Sequence, residues 1–141
     1  MSSTANPTST AKPVPTPNSV TEPYWSAAAR GVFLLPKCRS CGRFHHHPRP
    51  WCPYCWSRDL DWESPSGRGT VVTFSVVHQP PSPGFEVPYV LAVVKLDEGP
   101  QLMCNLVEID PADVRCDLPV TVTFERRGDG AVPQFRPSQE P

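Results

Sequence analysis

At 141 residues and 38% hydrophobic content, the chain can support one modest domain or two very small ones, but not a large core. Its longest uninterrupted apolar run, Tyr89 to Val94, falls far short of the roughly 20 residues of a bilayer-spanning helix, which excludes a transmembrane helix and predicts a soluble protein. The formal net charge of -1 hides a sorting along the chain: six basic and no acidic residues lie between Arg30 and Arg58, whereas Asp59 to Pro141 carries six basic and thirteen acidic ones.

In chain order, residues 1–20 interleave Pro7, Pro13, Pro15 and Pro17 with serine and threonine, the composition of a disordered, solvating tail. The start has no basic segment followed by an apolar run and no Arg-rich amphipathic pattern, so nothing in it reads as a secretion or organelle signal; a reducing cytoplasm is the expected setting. Residues 21–32 read as a short helix, with Thr21 or Glu22 as cap and Pro23 in the first turn. Trp25, Ala28, Ala29 and Val32 then share one face, and Gly31 marks the end. So short a helix is marginal alone and must dock on the rest of the chain or on a partner.

Residues 33–62 contain two Cys-x-x-Cys turns, Cys38-Arg39-Ser40-Cys41 and Cys52-Pro53-Tyr54-Cys55, ten residues apart. One such turn is ambiguous between redox and metal chemistry. A pair returned by a short hairpin supplies the four thiolates of a closed tetrahedral site, and such a site leaves no position for water or substrate. The expected ion is structural zinc, with iron a substitute in recombinant material. Two disulfides are the competing reading, disfavoured by the absence of an export signal. The complete cysteine set makes His45, His46 and His47 a solvated hairpin tip rather than replacement ligands. Phe33-Leu34-Leu35 should enter the first knuckle as a strand and Leu60-Asp61-Trp62 leave the second. With four thiolates and a divalent ion, the stretch from Arg30 to Arg58 keeps a formal charge of about +4, suited to phosphate or an acidic partner surface; solvation of a small knuckle explains the same charges.

Residues 63–137 change to short β-rich segments. Thr70 to Val77 is the first strand, stopped by Pro80-Pro81-Ser82-Pro83-Gly84; Tyr89 to Leu96 and Gln101 to Glu108 form a hairpin around Asp97-Glu98-Gly99-Pro100; Val120 to Glu125 is a further strand. Four or five short strands without a crossover helix favour a mainly β protein with a small antiparallel barrel. Residues 138–141 form a short C-terminal tail.

These residues together resemble the DUF35 family. The resemblance rests on Tyr24-Trp25, both knuckles, His47-Pro48-Arg49-Pro50, Ser66-Gly67-Arg68-Gly69-Thr70 and Val76-Val77-His78-Gln79-Pro80-Pro81. Pro83-Gly84-Phe85, Pro88-Tyr89-Val90, Leu96-Asp97-Glu98-Gly99-Pro100 and Pro133-Gln134-Phe135-Arg136-Pro137 continue it. It implies an N-terminal helix, a rubredoxin-like zinc ribbon and a C-terminal OB-fold. It also implies a non-catalytic accessory subunit for a thiolase, a thiolase-like aldolase or a hotdog-fold enoyl-CoA hydratase in acyl-CoA, lipid or steroid side-chain metabolism, stabilising that enzyme or shaping its CoA channel. Residues 1–23 lie outside the resemblance, and Trp56 stands where a glycine often follows the second knuckle.

No local motif supplies a nucleophile with an orienting base. Cys104 and Cys116 read as small apolar core residues, and His78 as a loop-anchoring hydrogen-bond partner. The competing function is single-stranded nucleic-acid binding, which wants a basic groove with aromatic platforms; the acidic barrel sequence disfavours it. For contact with partner or CoA, the expectation falls on Arg39, Arg43 and Arg49 of the ribbon and on Trp25, with the helix and the Pro80–Pro88 loop adding apolar surface.

Overall fold

The computed structural model describes residues 12–138. One helix, α1 (Glu22–Ala29), precedes a two-stranded antiparallel sheet of β1 (Leu35–Cys38) and β2 (Leu60–Glu63). Five strands follow, β3 (Arg68–Val77), β4 (Tyr89–Leu96), β5 (Gln101–Leu106), β6 (Pro119–Arg127) and β7 (Gly130–Pro137), closing into a barrel of order β3-β4-β5-β7-β6. Closure pairs β6 back to β3 through Arg68–Thr121, Gly69–Val120 and Thr70–Pro119. Gly69 is paired on both sides there, and a Cβ on it would run into the main-chain carbonyl of Lys95, so only glycine lets the strands approach.

The strands follow alternating burial. Val90, Ala92, Val94 and Leu96 of β4 and Leu102, Cys104 and Leu106 of β5 point inward, joined by Val71, Val120 and Phe135. A register shift between Val71 and Thr73 leaves Val72 exposed on β3. The core does not stop at the barrel: Tyr24 of α1 and Phe33, Leu35 and Phe44 around the knuckles belong to the same buried cluster, and Phe33 meets Phe135 edge-on at 6.3 Å.

Strand β7 carries Pro133 and Pro137, which remove ladder donors and obscured this strand in the sequence. It holds because one edge pairs fully with β6, while the other meets β5 by a parallel bridge, Leu106 to Phe135. There the buried Gln134 side chain substitutes for a ladder acceptor, taking the Asn105 N–H at 2.7 Å.

Two expectations about the N-terminal part change. The helix forms where the sequence places it, but its buried face is Tyr24, Ala27 and Ala28, with Trp25 half-buried and Val32 exposed. The cause is long-range: the Tyr24 hydroxyl, within 3.3 Å of His46 Nε2, fixes the rotation of the helix against the hairpin between the knuckles. Residues 12–20, expected to belong to a disordered tail, run beside the barrel. Lys12 Nζ lies 2.8 Å from Glu125 Oε2, and Arg127 donates to the Pro13 carbonyl at 3.2 Å. Residues 1–11 and 139–141, also expected as tails, lie outside the described residues.

Candidate metal centre

Each knuckle is a tight turn that aims backbone N–H groups at sulfur. In the first, Gly42 N donates to the Cys38 carbonyl at 2.8 Å and Cys41 N points at Cys38 Sγ at 3.4 Å. In the second, Trp56 N donates to the Cys52 carbonyl at 2.9 Å and Tyr54 N points at Cys52 Sγ at 3.4 Å. The pairing of β1 with β2 brings the turns together, so that all four Sγ atoms of Cys38, Cys41, Cys52 and Cys55 lie within 4.8 Å of one another. Cys38 Sγ is 3.5 Å from Cys55 Sγ, and Cys41 Sγ is 3.6 Å from Cys52 Sγ. A tetrahedral ion with metal–sulfur bonds of about 2.3 Å needs sulfurs about 3.8 Å apart, so the donor set fits a metal.

The electrostatics of the cluster agree. The Cys41 backbone N–H, opposed by burial and aided by Cys55, holds the Cys38 thiol down at about 6. At Cys55 the Ser57 backbone N–H also pulls downward, but the sulfurs of Cys38, Cys41 and Cys52 together with burial outweigh it and push that thiol up to about 11. Four negative sulfurs this close cannot coexist without a cation among them. When bound, a metal would supply cross-linking of the two turns; with four sulfur donors it leaves no site for substrate chemistry.

The histidine run is not a solvated tip. His45 is 2% exposed, and its Nε2 accepts the Arg49 N–H at 3.2 Å; His46 is half-buried and only His47 is exposed. His46 and His47 pack around Tyr24, with ring centroids 5.6 and 5.5 Å away, and Trp25 lies edge-on to Tyr24 at 4.8 Å. The run therefore attaches the ribbon to α1. Burial, reinforced by the neighbouring His47 and His45, lowers His46 to about 4. The folded protein thus prefers neutral His46. As pH falls from the ordinary imidazole value near 6.5 toward 4, the unfolded chain takes up a proton that the fold refuses, and stability drops by a total on the order of 3 kcal/mol. Urea unfolding at several pH values through this window should show that slope, and His46→Gln should flatten it; an unchanged slope in the variant would place its origin elsewhere.

The expected contact residues are dispersed. Arg39 is engaged within the ribbon, 3.7 Å from Asp59 and 3.3 Å from Asp61. Trp25 packs against the core cluster. Arg43 lies 4.9 Å over the Tyr54 ring, and Arg49 is exposed. Of the thiols outside the knuckles, Cys104 is buried, with burial pushing it up to about 12, as expected of a core residue. Cys116 is exposed, against expectation, because it falls in the irregular turn before β6, where the next residue, Asp117, has a left-handed φ of 69°. His78 is likewise exposed, with no hydrogen-bond partner among the described residues.

The family description "ChsH2, rubredoxin-like zinc ribbon domain" matches residues 25–61, and "ChsH2, C-terminal OB-fold domain" matches residues 62–125. A "DUF35 domain-containing scaffold protein" of Pyrococcus furiosus is 41% identical over 95 residues, covering 65% of this chain and 68% of that protein. The chain belongs to the DUF35 family. A further family match, titled "Ltp2-ChsH2(DUF35) aldolase", is a solved structure with a TM-score of 0.80 and 36% identity, covering 88% of this chain and 98% of that one. A "Probable enoyl-CoA hydratase alpha subunit" of Thermomonospora curvata is 37% identical over 128 residues, which are 90% of this chain but 40% of that subunit. The DUF35 unit thus spans well under half of that relative's length.

Proposed function

We propose that this chain is a non-catalytic accessory subunit that binds and stabilises an acyl-CoA-processing enzyme, either a thiolase-superfamily aldolase or thiolase or an enoyl-CoA hydratase, in lipid or steroid side-chain metabolism. The observation that carries this reading is the likeness, over nearly the whole length of that chain, to the DUF35 chain of an aldolase. The partial match to a much longer hydratase subunit supports it from a second side. The proposed ion is zinc, held by Cys38, Cys41, Cys52 and Cys55 in a ribbon spanning residues 33–62, with the OB-fold at 63–137 and a cytoplasmic setting. Of the cations first expected at the partner or at CoA phosphates, Arg43 and Arg49 are better placed than Arg39, whose guanidinium is already held by two carboxylates.

The outer face of β4 and β5 disfavours the nucleic-acid alternative. OB-folds that bind strands use the equivalent face, with cationic and aromatic side chains. Here the outward positions are Leu91, Val93 and Lys95 on β4 and Gln101, Met103 and Asn105 on β5, with Val93 beside Met103 and the latter 66% exposed. One cation among aliphatic and amide side chains suits a protein neighbour better than a phosphate chain.

The test is affinity purification of the tagged chain from its native host, with elemental analysis of the product. The expected result is a stoichiometric complex with an aldolase, thiolase or hydratase that loses stability when this subunit is withheld, and one zinc per chain. Recovery without such an enzyme, or turnover of an acyl thioester by the isolated chain, would reject the reading.

A further inference from the structure

We propose that the second knuckle presents the surface on which the enzyme partner docks: Trp56 is the anchor, supported by Trp51 and Tyr54, with Arg43 and Arg58 on its rim, and the matching partner surface is an apolar pocket ringed by carboxylates. This rests on the accessory-subunit reading and adds where the partner sits and what its surface must offer.

Two independent features single out Trp56. Its side chain is 72% exposed. Its φ is 68°, a left-handed conformation that is unfavourable for any residue with a Cβ and suited to glycine. Little of either cost is recovered within the fold. The turn around the metal site uses the Trp56 backbone N–H, which any residue but proline could donate, and the indole is absent from the buried cluster. Its ring contact is a stack on Trp51, centroids 6.3 Å apart and planes at 23°. A large aromatic held in a strained backbone position and turned to solvent is poor design for a monomer and good design for an anchor, since tryptophan, tyrosine and arginine dominate the energetic centres of protein interfaces.

The surroundings fit the same role. Arg58 lies 5.9 Å over the Trp51 ring and Arg43 4.9 Å over that of Tyr54, itself 49% exposed. Lys37 is matched by Glu63 and Arg39 by Asp59 and Asp61, whereas Arg43, Arg49 and Arg58 have no carboxylate partner among the described residues. Carboxylates on a partner surface would complement these guanidiniums.

The geometry also selects a folded protein over single-stranded nucleic acid. Stacking successive bases requires free ring faces. The Tyr54 ring already has Arg43 over it, and that of Trp51 has Arg58 and the Trp56 indole, so the aromatic surface open to successive bases is reduced.

The experiment uses the full chain and the enzyme recovered with it, both purified, in calorimetric titrations at low and moderate salt. Trp56→Gly places glycine where the backbone already suits it, so the thermal midpoint should stay close to wild type while affinity falls by about 30-fold or more, the loss that marks an interface anchor. Arg43→Glu combined with Arg58→Glu should weaken binding and remove most of its salt dependence. If the wild-type chain binds the enzyme and Trp56→Gly binds it equally well, this surface is wrong and the accessory role stands. If no such enzyme binds the wild-type chain, both fall. Self-association of the chain, or capture of an oligothymidylate, abolished by Trp56→Gly would overturn the enzyme as occupant in favour of a second copy or of nucleic acid.

Discussion

Removing the metal with a strong chelator, or replacing Cys52 by serine, is expected to unfold residues 33–62 and leave the five-stranded barrel folded but destabilised. The ribbon has two four-residue strands and few buried side chains of its own, chiefly Leu35, Phe44, Cys38 and Cys52. Units below about 40 residues rarely fold without a staple, and structural zinc contributes on the order of 10 to 16 kcal/mol in comparable sites. Without the ion, sulfurs 3.5 and 3.6 Å apart hold the turns together only through protonation and weak sulfur contacts. The barrel has its own closed ladder and should persist, but it loses the packing of Phe33 on Phe135. Amide hydrogen exchange separates the two units. Protection should vanish across β1 and β2 on chelation and survive in β4 and β5; retained protection in the ribbon would show that it is not metal-dependent.

Phe135→Ala should be the most damaging single truncation in the barrel, with a loss of about 3 to 5 kcal/mol. The ring is 0% exposed, on β7 between β5 and β6, opposite Val122 on β6 and bridged to Leu106 on β5. It also meets Phe33, so one cavity would open at the seam between ribbon and barrel, where neither unit alone can collapse to fill it. Phe135→Leu keeps most of the volume and should cost far less. Urea denaturation measures both, and a loss below about 1 kcal/mol for the alanine variant would show that the site relaxes freely.

How much of this was legible in the sequence depended on the range of the interactions. The knuckles were readable because Cys-x-x-Cys is a local turn whose geometry follows from its own four residues. β3 and β4 were readable because β-branched residues alternate within them and prolines bound the loop between them. β7 was not, since Pro133 and Pro137 argue locally against a strand that β6 and Gln134 nevertheless enforce.

The same distinction separates the two sources of information for the site. By itself the sequence determined the donor set, the opposite charges of ribbon and barrel, and the presence of a short helix and a β-barrel, because composition and short spacings carry these. Only the tertiary structure decided which helical face is buried, that His45 is buried and His46 packs against Tyr24, that Arg39 is held by Asp59 and Asp61, and that Trp56 faces solvent in a strained turn. Most of these depend on a partner many residues away along the chain, or on the shape of the folded surface, and local residue preferences cannot encode that.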